Sequence, residues 1–235
     1  MPDIDIQMLT AIENAIYASN FELASELLEP MLTSQPNEPA WYRLKLMAAC
    51  ENFRQKEIEK LIASVQQKFP DSAVSALADS LTPGISALKY TRRLNKAIRL
   101  EPKDAFLFYL RGRNAINQSS YINALADFNE CLEINPNIIK AYLLRSESLS
   151  HIGFHNYAFR DLVTFWNWQP PENPQPLMAR MLFELLYCIL PNNLKVGSLV
   201  YVPEGFDLEK ILHEQNISNT IHIEPLQLFS ISANR

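Results

Sequence analysis

Residues 105–136 read AFLFYLRGRNAINQSSYINALADFNECLEINP, and the spacing of small and apolar side chains in this stretch decides the fold. Phe108, Gly112 and Ala115 lie three and four apart in its first half; Ala124, Phe128 and Cys131 do the same in its second. Positions three and four apart share one face of a helix, so each half is an amphipathic helix with a stripe to bury. Pro136 closes the second helix, because an interior proline removes a backbone hydrogen bond and clashes with the preceding turn.

Working outward, prolines that end apolar-periodic segments recur at Pro36, Pro70, Pro102, Pro136 and Pro170, at spacings of 34, 32, 34 and 34 residues. Such a period accommodates two antiparallel helices and two short turns. The following unit repeats the pattern as Tyr142, Ser146 and Leu149, then Ala158, Leu162, Phe165 and Pro170. The first unit offers Ala11 and Ala15, Phe21 in the turn, then Ala24, Leu28, Met31 and Pro36. Around Trp41, the residues Trp41, Leu44 and Ala48 precede Ile58, Ile62, Val65 and Pro70 with one residue too many between halves, which a longer turn near Asn52 absorbs. The unit before Pro102 keeps Tyr90, Leu94 and Ala97 but is two residues short, and Thr82-Pro83-Gly84 cuts its first helix early, so an irregular bend is expected there.

These residues resemble the tetratricopeptide repeat, in which a large residue opens helix A, a small one admits helix B, Ala and a Phe four residues on lie on helix B, and Pro ends it. Arg111 stands where the family has Leu, and Ala115 where it has Tyr. The resemblance covers about residues 4–170, in units of about 4–36, 37–70, 71–102, 103–136 and 137–170. It implies an all-α, right-handed α-α superhelical solenoid, with a concave groove lined by the first helix of each pair. Composition agrees: 48% apolar and 20% charged residues are globular values, and 15 Pro against 5 Gly favour helices over a sheet fold.

The C-terminal part has no recognised family. A helix over about 175–190 carries apolar side chains round most of its circumference, so residues 171–192 read as a capping helix that something must cover. Val196–Val202 and Thr220–Ile231 read as strands and Phe206–Gln215 as a short helix, giving a small αβ appendage over 193–235. Its strands pair parallel around that helix, or one lies free for a partner strand. Capping the solenoid, a homodimer through the C-terminal segment, and capture of a partner are its alternative roles.

The resemblance places the ligand in the concave groove and puts Phe106, Tyr109, Arg113, Ile116 and Asn117 there from one unit, with Lys140, Leu143, Glu147 and His151 from the next. Aromatic surface with Arg beside it suits a peptide. The carboxylate clamp of the chaperone-binding branch is absent, since Leu9, Glu13, Asp79, Tyr109, Arg113, Leu143 and Glu147 occupy its positions. A net charge of −5 without a Lys/Arg-rich block argues against nucleic acid. No run of about 18 apolar residues occurs, and the start lacks a basic segment before an apolar run, so a cytoplasmic, non-exported chain without membrane insertion is expected. Cys50, Cys131 and Cys188 form neither a disulfide framework nor a zinc motif, and His151 with His155 falls at a turn, so no metal or cofactor is expected.

A non-catalytic protein- or peptide-binding adaptor is therefore the first expectation. A secretion-type chaperone for an export substrate is the alternative. A regulatory subunit or enzyme remnant is the second alternative, with Glu204, Glu209, His213 and His222 as its titratable candidates.

Overall fold

A computed structural model describes residues 5–168, 199–203 and 222–226. Among the described residues ten helices follow one another, the first eight in consecutive pairs: α1 (Ile6–Tyr17) and α2 (Phe21–Ser34), α3 (Pro39–Glu51) and α4 (Gln55–Lys68), α5 (Ala73–Ser80) and α6 (Ala87–Leu100), α7 (Ala105–Asn117) and α8 (Tyr121–Ile134); α9 (Ile139–His151) and α10 (His155–Trp168) come after them. The chain divides into two compact units, 1–153 and 154–235, with the division between α9 and α10.

Local chemistry sets the helix ends. Asp5, Asn20, Ser72, Ser86 and Asp104 stand before α1, α2, α5, α6 and α7, and each side chain accepts a hydrogen bond from an amide of the first turn. The second helix of each of the first four pairs ends at Ser34, Lys68, Leu100 and Ile134, just ahead of Pro36, Pro70, Pro102 and Pro136. The turns inside the pairs need a left-handed residue, supplied by Ser19, Phe53, Gly84, Ser119 and Gly153, with φ between 53° and 87°. Phe53 adopts it at φ 53° while 85% exposed, so neither burial nor the absence of a Cβ offsets the strain.

Within the first unit, the first helices pack on one another and on their partners: α1 on α2 and α3, α3 on α4 and α5, α7 on α8 and α9. One continuous core runs through them, with Ile12, Ile16, Trp41, Leu44, Met47, Leu77, Leu94, Phe106 and Phe128 almost fully buried. Gly112 of α7 marks a close approach in it. A Cβ there would stand 2.8 Å from Cε1 of Phe128 on α8, so the small residue is what lets the two helices meet.

Arg111 departs from the repeat pattern for a visible reason. Its guanidinium makes a two-point contact with Asp127 of α8, with Nη2 to Oδ1 at 2.6 Å, and Nη1 donates to Asn95 Oδ1 of α6 at 2.7 Å. The Leu that this position holds in the repeat pattern gives way to a polar bridge linking α6, α7 and α8. Helix α5 has 8 residues where α3 and α7 each have 13, and it ends just before Thr82-Pro83-Gly84.

In the second unit, β1 (Leu199–Pro203) pairs parallel with β2 (His222–Leu226), in register from Leu199 opposite His222 to Pro203 opposite Leu226. The helices expected over 175–190 and 206–215 lie outside the described residues.

Candidate binding cleft

Two polar knots tie the first helices together, and both are anchored on α3. At its start, Arg43 spans three helices. Its Nε and Nη2 donate to Oδ2 and Oδ1 of Asp104 at 2.6 and 2.7 Å, and its Nη1 donates to Oε1 of Glu13 on α1 at 2.7 Å. Asp104 also caps α7, accepting from the Phe106 amide at 3.0 Å, so one carboxylate serves both the helix end and the ion pair. Burial works against the Arg43 charge, but Asp104 and Glu13 outweigh it and hold the guanidinium above its ordinary range. The Tyr17 phenol is pushed well up by burial and then by Glu13.

The second knot lies at the end of α3, where Glu51 is 5% exposed. A carboxylate at a helix C-terminus opposes the macrodipole, so it requires cations nearby. Arg113 of α7 supplies one, with Nη1 at 3.2 Å from Oε1, and Lys140 of α9 the other, with Nζ at 2.7 Å from Oε2. The Arg113 guanidinium also lies over the Tyr109 ring, 5.5 Å from its centroid. Burial raises the Tyr90 phenol to about 12, with Cys50 adding to the rise and Arg113 opposing it. Burial likewise lifts the Cys50 thiol to about 11 and the Cys131 thiol to about 12. Both thiols are protonated at neutral pH and act as small buried groups rather than nucleophiles.

The residues expected to line the groove therefore divide. Phe106 and Tyr109 are not exposed: they are 0% and 4% accessible and stack at 5.8 Å within the core. Helix α7 packs on α6, α8 and α9, and both rings belong to the continuous core that these helices share. Arg113 and Lys140 are brought together, but on Glu51, and each is about one third exposed. Ile116 packs against the core, Leu143 and Glu147 are half-buried, and Asn117 is exposed. His151 turns to the start of α8, where it stacks on Tyr121 at 4.0 Å and 9° between planes.

Between the first helices a cleft of about 510 Å³ remains open, formed by α1, α3, α5 and the start of α7. Leu9, Pro39, Val74, Leu77 and Leu107 supply its apolar lining. Its charged lining is Glu13, Glu38, Glu101 and Asp104 against Arg43 and Lys103, an excess of carboxylate. Leu9 and Glu13 were visible in the sequence as groove positions of the repeat register; Arg43 and Asp104 carried no such signal. A larger cleft of about 710 Å³ lies between α2, α3 and α4, but Phe21 and Leu28 are the large apolar groups lining it, among Glu22, Ser25, Glu26 and Lys45. Among the described residues, no three His, Cys, Asp or Glu side chains converge as metal ligands, and no helix is long and apolar enough to cross a membrane. Glu204, Glu209 and His213 lie outside the described residues, and His222 opens β2.

Paired antiparallel helices stacked about a continuous core define an α-α solenoid. The particular form is the tetratricopeptide-repeat fold. The structure of TTC0263, a thermophilic tetratricopeptide-repeat protein of Thermus thermophilus, matches with a TM-score of 0.53 at 13% identity, over 78% of this chain and 100% of that one. A tetratricopeptide-repeat protein from Parabacteroides merdae matches at 0.44 with 17% identity, over 78% and 72%. YrrB, a tetratricopeptide-repeat protein with an unusual peptide-binding site, matches at 0.43 with 14% identity, over 77% and 92%. No protein-family model matches the sequence, and neither does any curated protein.

Proposed function

We propose that this chain is a non-catalytic scaffold that binds a segment of another protein in the cleft between α1, α3, α5 and α7. The observation that carries the reading is the composition of that cleft, which pairs aliphatic side chains with a carboxylate excess. Such a lining suits an extended or helical segment that offers an aliphatic anchor beside a Lys or Arg. The two knots on Arg43 and Glu51 hold the first helices in place before any ligand arrives, which reduces the ordering cost of binding. The neighbouring face, with Arg113, Asn117, Lys140, Leu143, Glu147 and His151, is the less favoured surface, because the buried Glu51 already neutralises its cations Arg113 and Lys140. A small αβ appendage at the C-terminal end, with β1 and β2 as its strands, is part of the same proposal.

Selection of a random peptide library on the immobilised chain tests the cleft. The expected winners combine Lys or Arg with Leu, Ile or Met, and lose binding to a Leu9→Gln/Glu101→Lys variant. Acidic winners, or winners indifferent to those changes, would refute the assignment.

A further inference from the structure

Helix α6 has two unlike sides. Leu94 and Ala97 are fully buried, with Tyr90 and Ile98 packed beside them. The opposite side carries Lys89, Arg92, Lys96 and Arg99, all exposed, and Lys103 continues beyond the helix end. Spacings of three and four put the four helical cations in one row, roughly 15 Å long at about 1.5 Å per residue. The sequence hides this row, because two or three other residues stand between its successive cations until the helix forms. No Asp or Glu lies on α6, and none of these five cations has an ion-pair partner among the described residues. Arg93, further round the helix, is engaged instead, donating to the Asp79 carbonyl. Leu88 and Leu100, 59% and 45% exposed, flank the row at its two ends.

We propose that this face docks an acidic amphipathic helix of another protein, with carboxylates at the same three-and-four spacing and aliphatic side chains beside them. The sign of the row selects an anionic partner, and its width of one helix selects a narrow one. A planar anionic membrane fits poorly. The Asn95–Arg111–Asp127 bridge holds α8 beside α6, and α8 presents exposed Glu130 and Glu133 with no Lys or Arg of its own. Single-stranded nucleic acid fits poorly too, because the exposed flanks are aliphatic and give bases no aromatic platform.

The test uses the full chain and a labelled synthetic helical peptide of about 18 residues, Glu on one face and Leu at its edges, with a scrambled peptide of equal composition as control. Fluorescence anisotropy should show the patterned peptide binding at least about tenfold tighter than the scrambled one. Arg92→Glu/Lys96→Glu should abolish binding, and Leu88→Ser should weaken it about threefold or more, with melting unchanged because all three sites are exposed. Equal affinity for the two peptides would overturn the proposal. So would binding unaffected by the charge reversal, or displacement of the peptide by phosphatidylserine vesicles or oligothymidylate at lower concentration than by unlabelled peptide.

Discussion

Glu51→Ala removes the one carboxylate that holds α3, α7 and α9 together, and its cost follows from the exposure of the three partners. Taking one member from a fully buried ion pair costs about 3–5 kcal/mol, whereas an exposed pair is worth about 0–1 kcal/mol. Here the buried anion itself disappears, and the remaining cations, Arg113 at 30% and Lys140 at 33% exposed, regain water on one side. They still lose their counter-charge and are left repelling each other, which puts the loss at about 2 kcal/mol. For a chain of this size that is a fall in Tm of about 4–8 °C. Glu51→Gln keeps an acceptor for one cation and should cost about half as much. Urea unfolding followed by circular dichroism measures both, with Glu59→Ala on the exposed face of α4 as the control. A loss below about 0.5 kcal/mol, or one no larger than the control's, would show that the knot does not hold the first helices. Adding Arg113→Met and Lys140→Met to Glu51→Ala should then restore part of the stability, since an apolar replacement needs no counter-charge.

Four further outcomes follow from single features. Gly112→Ala should cost about 1–3 kcal/mol by forcing Phe128 aside, and Phe128→Leu should relieve part of it, giving a non-additive cycle in urea unfolding. Phe53→Gly should stabilise by about 1 kcal/mol, because the φ of 53° then carries no Cβ penalty and no buried contact is lost; a lower Tm would contradict this. Arg111→Leu leaves Asp127, 8% exposed, without its cation and should cost about 3 kcal/mol, while Arg111→Leu/Asp127→Leu should recover most of it. Stability should also fall at high pH. The folded values of Cys50, Cys131 and Tyr90, about 11, 12 and 12, exceed the ordinary 9.0, 9.0 and 10.0, so the native state holds these protons more tightly. Their contribution is complete below the ordinary values and is lost as pH rises through the folded ones, so the urea midpoint should decline from about pH 9 to pH 12 and decline less in Cys50→Ala/Cys131→Ala.

What the sequence reveals of this fold, and what it hides, separate along physical lines. Helix ends and close approaches leave local marks: Pro36, Pro70, Pro102 and Pro136 stand just past α2, α4, α6 and α8, and Gly112 faces Phe128 at a fixed offset. Thr82-Pro83-Gly84 likewise announces the early end of α5. The knots leave no such mark, because Glu51 meets Arg113 and Lys140 across separations of 62 and 89 residues, and one charge on each helix has no period. Phe106 and Tyr109 look like groove residues for the same reason. A repeat register gives each position on a helix but not which neighbouring side chains close over it, and both rings are taken into the core. The row on α6 is hidden in another way, since Lys89, Arg92, Lys96 and Arg99 become neighbours only once the helix is wound.

Recovery of bound proteins from native lysate, read by mass spectrometry, tests the binding role most directly when wild type is set beside Leu9→Gln/Glu101→Lys and Asn117→Ala, the latter an exposed position on the neighbouring face. A protein lost from the first variant and retained by the second is the expected result, with the helical spectrum of the first variant unchanged. Identical protein lists for wild type and the Leu9→Gln/Glu101→Lys variant would contradict it.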